Sequence, residues 1–355
     1  MAAIKLIVKP IPTAELTEEN VSRFPLPEIP DGWDPSETKS GGHNIKSYCY
    51  YPQDEVISAA QKSVRRCWIT ESVYWWLEAF WAGKGATRTN TWNRALVTAM
   101  EDIGPADTDM LPAVYFLSEK YRDDPYAIAI CGWEMAMSKK SRVNDWGANC
   151  QQHYMYEKDR AHGLGSPEQI MVLLVKLLRE KDTTTESLNL MKALLCHEWT
   201  IGGKYKKAEY CILQAFEQVI GKDDPYLKIC IKLALSANWR WQYKAYIIHL
   251  HIYNLWINDR WYLTKTYQSL IDGMEKVLES PSPELTAMVE DHWCRTMPLR
   301  GMPDIFVDKH TARGRRMKRD SEHFFEHGAH LNNIDEYWEP LSQWYFEGMM
   351  KGELE

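Results

Sequence analysis

The stretch DEVISAAQKSVRRCW, residues 54–68, decides the fold class. Val56, Ile57, Ala60, Val64, Cys67 and Trp68 recur every three or four residues, which a helix gathers onto one face and a strand cannot. Moving outward, residues 71–82 place Val73, Trp76, Leu77, Phe80 and Trp81 at the same spacing. Trp92, Ala95, Leu96, Ala99, Met100 and Ile103 repeat it. The pattern predicts further helices over 109–121, 125–137, 206–220, 225–236, 239–255, 265–278 and 284–294. Ser166-Pro167-Glu168-Gln169 has the form of a capping box with proline at the first helical position, and Thr183 with Glu186 repeats the box. Only the beginning reads otherwise. Ile4, Leu6 and Val8 alternate as in a short strand, and Pro10, Pro12, Pro25, Pro27, Pro30 and Pro35 then forbid helix. The expected protein is all-α: an extended Pro-rich arm (1–53), a helical domain (54–150), a second helical subdomain (151–300) and a basic, aromatic C-terminal segment (301–355).

Composition narrows the function. The net charge of −7 excludes a surface that is basic throughout, so any nucleic-acid contact must come from a local patch. Eight cysteines include no C-x-x-C pair and most fall in apolar stretches, as free thiols of an intracellular protein would. No apolar run reaches the roughly 20 residues of a membrane span, and no secretory signal opens the chain.

Residues 62–107 carry three linked motifs. Lys62-Ser63-Val64-Arg65-Arg66 is followed by Ser72-Val73-Tyr74-Trp75-Trp76-Leu77-Glu78, and then by a helix from Arg94 through Ala99 ending Glu101-Asp102-Ile103-Gly104-Pro105-Ala106-Asp107. This order resembles the C-terminal helical region of the replication-associated recombination ATPases, relatives of the clamp loaders that include the Werner-helicase-interacting ATPase. In that family a K-S-x-R box precedes a Y-W-L helix and an E-D-I-G-x-A-D string. Residues 112–114, Ser138-Lys139-Lys140-Ser141 and residues 310–328 extend the resemblance to about a third of the chain. It implies a clamp-loader-collar-like domain, self-association up to a tetramer, and work beside DNA with replication or assembly proteins. The family's motor is not implied, because no G-x-x-x-x-G-K-[ST] occurs in the chain. Gly41–Ser47 lacks the second glycine of such a loop. The expectation is a non-enzymatic scaffold in DNA replication, recombination or packaging, with no cofactor and no ATP hydrolysis. A freestanding collar would suit a large DNA virus or phage. The alternative is a structural assembly protein, for example a virion component, built on the same helices.

Four residue sets are candidates. Arg313, Arg315, Arg316, Lys318 and Arg319 place five cations in seven residues and suit phosphate contact, with Phe324, Phe325, Tyr337 and Trp338 near enough in sequence to stack on bases. Glu101 and Asp102 end a helix, where acidic groups oppose the dipole and need partners; Arg65, Arg66 and Arg94 are the candidates, making a structural ion network of Arg65, Arg94, Glu101 and Asp102. Trp68, Trp75, Trp76 and Trp81 exceed what two short helices need for their own core and are expected at an oligomer interface. Finally, His323-Phe324-Phe325-Glu326-His327 fits H-x-x-E-H, with His330 one turn on. A zinc hydrolase there is the weaker alternative, since Gly328 interrupts the helix; no metal is expected. His249 and His251 flank Leu250 and do not form a ligand pair.

Overall fold

A computed structural model describes residues 45–83, 85–154, 165–181, 185–200, 206–235, 242–290 and 302–351. Among these residues the chain is all-α, with no strand and only two isolated bridges, Lys46 to Pro52 and Lys140 to Ile334. The expected strand at 1–9, residues 1–44 of the expected arm and Thr183 lie outside the described residues, as do Trp239–Trp241, His292 and Cys294; residues 45–52 of that arm instead form a turn in which Cys49 and Tyr51 are buried. No described helix is long and apolar enough to cross a membrane.

The chain forms two compact units, and they are not consecutive segments. The first takes residues 45–99, 109–140 and 267–334; the second takes 100–108, 141–266 and 335–351. The expected boundaries near 150 and 300 are therefore replaced. Residues 302–334 belong with the first helices because the charged groups of 54–66 bind them, as described below. Residues 335–351 belong with the second unit. There Phe346 meets Trp146 edge-on at 5.0 Å, and Trp338 Nε1 donates to Pro105 O at 3.0 Å.

Unit 1 is built on α1 (Gln53–Arg65), α2 (Ile69–Trp81), α3 (Ala86–Thr98), α4 (Met110–Lys120) and α5 (Pro125–Met137). Asp54 and Glu55 begin α1, and Lys62 and Arg65 end it, each sign at the terminus that favours it. Helix α2 is buried from Ser72 to Phe80. Gly132 of α5 explains how: a Cβ there would lie 2.7 Å from Trp76 Cδ1, so the missing side chain is the seat of that indole. The expected oligomer interface is corrected accordingly. Trp75 and Trp76 are core residues of their own chain, with Trp75 edge-on to Tyr51, Tyr74 and Phe306, while Trp68 and Trp81 are half-buried. Phe306 meets Trp68 and Trp75, and Gly132 seats Trp76, none of which the local pattern of 68–81 reveals.

In unit 2 the chain enters through the π-helical turn Ala99–Ile103 and the 3-10 turn Gly104–Ala106. It continues as α6 (Val143–Tyr154), α7 (Pro167–Glu180), α8 (Thr185–Thr200), α9 (Lys206–Ile220), α10 (Pro225–Leu235) and α11 (Gln242–Ile257). Ser166 and Gln169 form the expected capping box at the start of α7. Gly104 terminates its turn in the left-handed region at φ 53°, and a Cβ there would meet Asn144 Nδ2 at 3.0 Å. The conformation favours glycine, and a Cβ would sit tightly against Asn144. From Tyr246 to Leu255, α11 is buried on every side, which suits a helix apolar all round. Cys131, Cys150 and Cys230 are free thiols. Burial pushes the thiols of Cys131 and Cys230 up, and that of Cys150 to about 11.

Candidate nucleic-acid interface

The basic segment does not hang free; it is laid along α1. At the N-terminal end of that helix the Asp54 carboxylate accepts from Ala312 N at 2.6 Å, and Glu55 Oε1 meets Arg313 Nε at 2.9 Å. Burial raises the Glu55 carboxyl above its usual range, and Arg313 pulls part of that shift back. One turn on, Ser58 donates to Phe306 O at 2.6 Å. The centre of the attachment is a buried ion pair, Lys62 Nζ to Asp308 Oδ2 at 2.7 Å, with 2% and 1% of the two side chains exposed. Burial alone would push the Asp308 carboxyl up; its hydrogen bond with His310 and the charge of Lys62 outweigh that and hold it well below the usual range. At the end of α1, Arg65 Nη1 donates to Gly328 O at 2.8 Å, Arg66 donates to His327 O, and Asn332 N returns to Arg65 O at 2.8 Å. Burial, and then Arg65 beside it, lower Arg66 to about 10.

The cationic run sits on a short helix, α14 (Ala312–Arg316), capped by the Thr311 hydroxyl, which accepts from Gly314 N; α12 (Tyr267–Glu279) and α13 (Pro283–Glu290) precede it. Gly314 is obligatory here, because a Cβ would fall 1.8 Å from Asp308 O. Two of the five cations are engaged inside the chain. Arg313 pairs with Glu55, and Arg319 grips both Asp304 oxygens, at 2.6 and 2.7 Å, while donating to the carbonyls of Asp304 and Val307. Nη2 makes both bonds to the carboxylate and Nη1 both bonds to the carbonyls, all of them charge-assisted. Of the five cations expected to face outward, three are exposed, Arg315, Arg316 and Lys318. Arg315 reaches back to His310 O at 3.0 Å, and Lys318 ends the helix in the left-handed region at φ 57°.

The aromatic candidates divide similarly. Phe324 and Trp338 are core residues, Phe325 is half-buried with the Lys309 ammonium 5.6 Å from its ring, and Tyr337, in unit 2, is exposed with Arg260 over its ring at 3.6 Å. The H-x-x-E-H segment forms a π-helical turn, Phe324–Gly328. The His323 and His327 rings are 4.8 Å apart, and His330 hydrogen-bonds Asn332. Among the described residues no group of three or more His, Cys, Asp and Glu side chains is arranged to hold a metal ion.

The expected ion network is also redrawn. Arg65 is committed to Gly328 O and stands over the Phe324 ring, Arg94 is exposed, and Glu101 is half-buried. Asp102 lies within unit 2 against a residue that sequence reasoning missed: Arg142 Nε, 3.9 Å from Asp102 Oδ1. Arg142 also pairs with Asp145 and lies 4.2 Å over the Trp146 ring. Beside that cluster runs a neutral network. Asn254 Nδ2 donates to Asn144 Oδ1 at 3.0 Å, Asn144 Nδ2 donates to His251 Nδ1 at 3.1 Å, and His251 Nε2 shares a proton with the Tyr226 hydroxyl at 2.8 Å.

Compared with protein-family models, with curated proteins and with solved structures, the chain finds no match.

Proposed function

We propose that this chain is a non-catalytic scaffold of DNA transactions that touches the phosphate backbone through Arg315, Arg316 and Lys318. One observation carries the reading. On a chain of net charge −7, three exposed cations lie within four residues of one turn, and the cations flanking them anchor that turn instead of binding outward. A fixed row of cations releases counterions from a nucleic-acid strand without reading its bases. The order of K-S-x-R, Y-W-L and E-D-I-G motifs supports the same assignment through its resemblance to the recombination ATPases. In this reading the chain self-associates, works with replication or assembly proteins inside the cell, and hydrolyses no ATP.

The test is binding of a single-stranded oligonucleotide by fluorescence anisotropy across a salt series. Combined substitution of Arg315, Arg316 and Lys318 by Ala should lower the log–log salt slope by roughly 2, about 0.7 per phosphate lost. The unfolding midpoint should not move, because exposed charges contribute little to stability. Loss should be equal across base sequences. An unmodified chain that binds no DNA at any salt, yet runs as an oligomer by light scattering, would put the structural-assembly reading in its place. That second reading has its own support in Val172 and Leu173, adjacent on α7 and 63% and 47% exposed.

A further inference from the structure

We propose that Ser321 is a phosphorylation site for a serine kinase that selects basic substrates, and that the phosphate switches off the cationic turn beside it. Ser321 is exposed and follows Arg316-Met317-Lys318-Arg319-Asp320. Kinases with an acidic substrate groove discriminate by cations at fixed distances before the hydroxyl. Here Lys318 stands three residues before it and Arg316 five, both exposed. The segment between them and the hydroxyl is not helical. Lys318 leaves the helix at φ 57°, and Asp320 is extended at φ −101° and ψ −162°. Met317 and Lys318 form a turn and Ser321 opens the helix Ser321–His323, so a kinase meets an exposed hydroxyl with two exposed cations before it.

The second observation is what awaits the product. Lys309 Nζ already donates to Ser321 Oγ at 2.8 Å, and it is held there over the Phe324 and Phe325 rings at 5.2 and 5.6 Å. The neighbouring acid, Asp320, is occupied as acceptor of His323 N at 3.1 Å. In the reaction the Ser321 oxygen attacks the γ-phosphorus of ATP. The new O–P bond forms as the bond to the β,γ-bridging oxygen breaks, ADP leaves with that electron pair, and the hydroxyl proton passes to the kinase's base. The product carries about −1.5 to −2 charges and three acceptor oxygens, and Lys309 is placed to give one of them a charge-assisted hydrogen bond. Against the three cations of the turn, that charge removes most of the local positive field. The effect on nucleic acid rests on the scaffold reading above; the modification itself does not.

The experiment uses the full chain, ATP and the purified catalytic subunit of a serine kinase that selects basic substrates. One phosphoryl group should map to Ser321 by mass spectrometry of peptides, and Ser321→Ala should lose it. Lys309→Met should still accept the group, but its phosphoserine should titrate at a higher pH in phosphorus NMR than in the wild-type chain. Absence of phosphate on Ser321, or identical titrations in the two chains, overturns the proposal. Single-stranded DNA affinity should fall on the order of tenfold on phosphorylation, with a salt slope lower by roughly 1.4; Ser321→Ala without kinase should bind as wild type. A phosphorylated chain that keeps full affinity overturns the switch. If the unmodified chain binds no DNA, the scaffold reading fails, and the mass and phosphorus measurements still decide the modification.

Discussion

Both units bury ion pairs, but unit 2 adds a buried network that carries no charge. Unit 1 closes on a full ion pair, Lys62 with Asp308, surrounded by guanidinium-to-carbonyl bonds from Arg65 and Arg66. Unit 2 also buries an ion cluster, Arg142 with Asp102 and Asp145, but sets beside it a network of uncharged amide, imidazole and phenol groups, Asn254, Asn144, His251 and Tyr226. The charged design ties a late segment of chain to an early helix, and removal of either partner strands a charge in the interior. The neutral design has no net charge to strand, but it works only while His251 is unprotonated. With Asn144 donating to Nδ1, a second proton on the ring would set donor against donor. The units should therefore respond to different insults.

Acid gives the largest contrast. Burial lowers both His249 and His251 to about 3. A base whose folded pKa lies below its unfolded value takes up its proton on unfolding, so stability falls as pH drops from about 6.5 towards 3. At about 1.36 kcal/mol per unit, two such imidazoles cost unit 2 on the order of 5 kcal/mol between pH 6.5 and 4.5. Asp308 works in the other window. Its carboxyl is held below the ordinary value, so its contribution is complete above about pH 4 and is lost only below that. His323 in unit 1 is lowered like the buried imidazoles, first by burial, but it is more exposed and contributes less. Hydrogen exchange at pH 4.5 should show the amides of α11 opening while those of α1 stay protected. Coincident opening of both would break the contrast.

Next in size is Asp308→Ala, expected to cost about 3–5 kcal/mol because it leaves the Lys62 ammonium buried and unpaired. Urea unfolding should also show that Lys62→Met with Asp308→Leu costs less than Asp308→Ala alone. An additive double variant would mean that the pair is not the unit of attachment. Tyr226→Phe should cost about 1–3 kcal/mol by stranding the His251 ring nitrogen that faces the hydroxyl. The smallest effect belongs to the neighbouring histidine. His249 is wholly buried, and neither ring nitrogen has a hydrogen-bond partner in the structure. His249→Leu should therefore be neutral or stabilising, by up to about 1 kcal/mol, where His251→Leu destabilises.

Some of this was legible in the sequence because the physics is local. The 3.6-residue period of 54–68 gave helices, and Ser166 and Gln169 gave a cap. Each depends on groups within a few residues of one another. The same reasoning placed Trp75 and Trp76 at a partner surface, because nothing near them shows Gly132 or Phe306 coming to cover them. It counted Arg313 and Arg319 as free cations, because Glu55 lies far away in sequence and Asp304 carries no motif. It looked for the partner of Asp102 among Arg65, Arg66 and Arg94, where the structure supplies Arg142 from the turn after α5.

The sequence by itself determined the helical class, the caps and the position of the basic run. Only the tertiary structure decided that residues 302–334 close onto α1, that three of five cations remain outward, and that Ser321 rests against Lys309. The reason is range. Backbone periodicity and capping are satisfied within one or two turns. Which carboxylate meets which guanidinium depends on how segments beyond the reach of one helix, as far apart as Glu55 and Arg313, share the cost of burying charge.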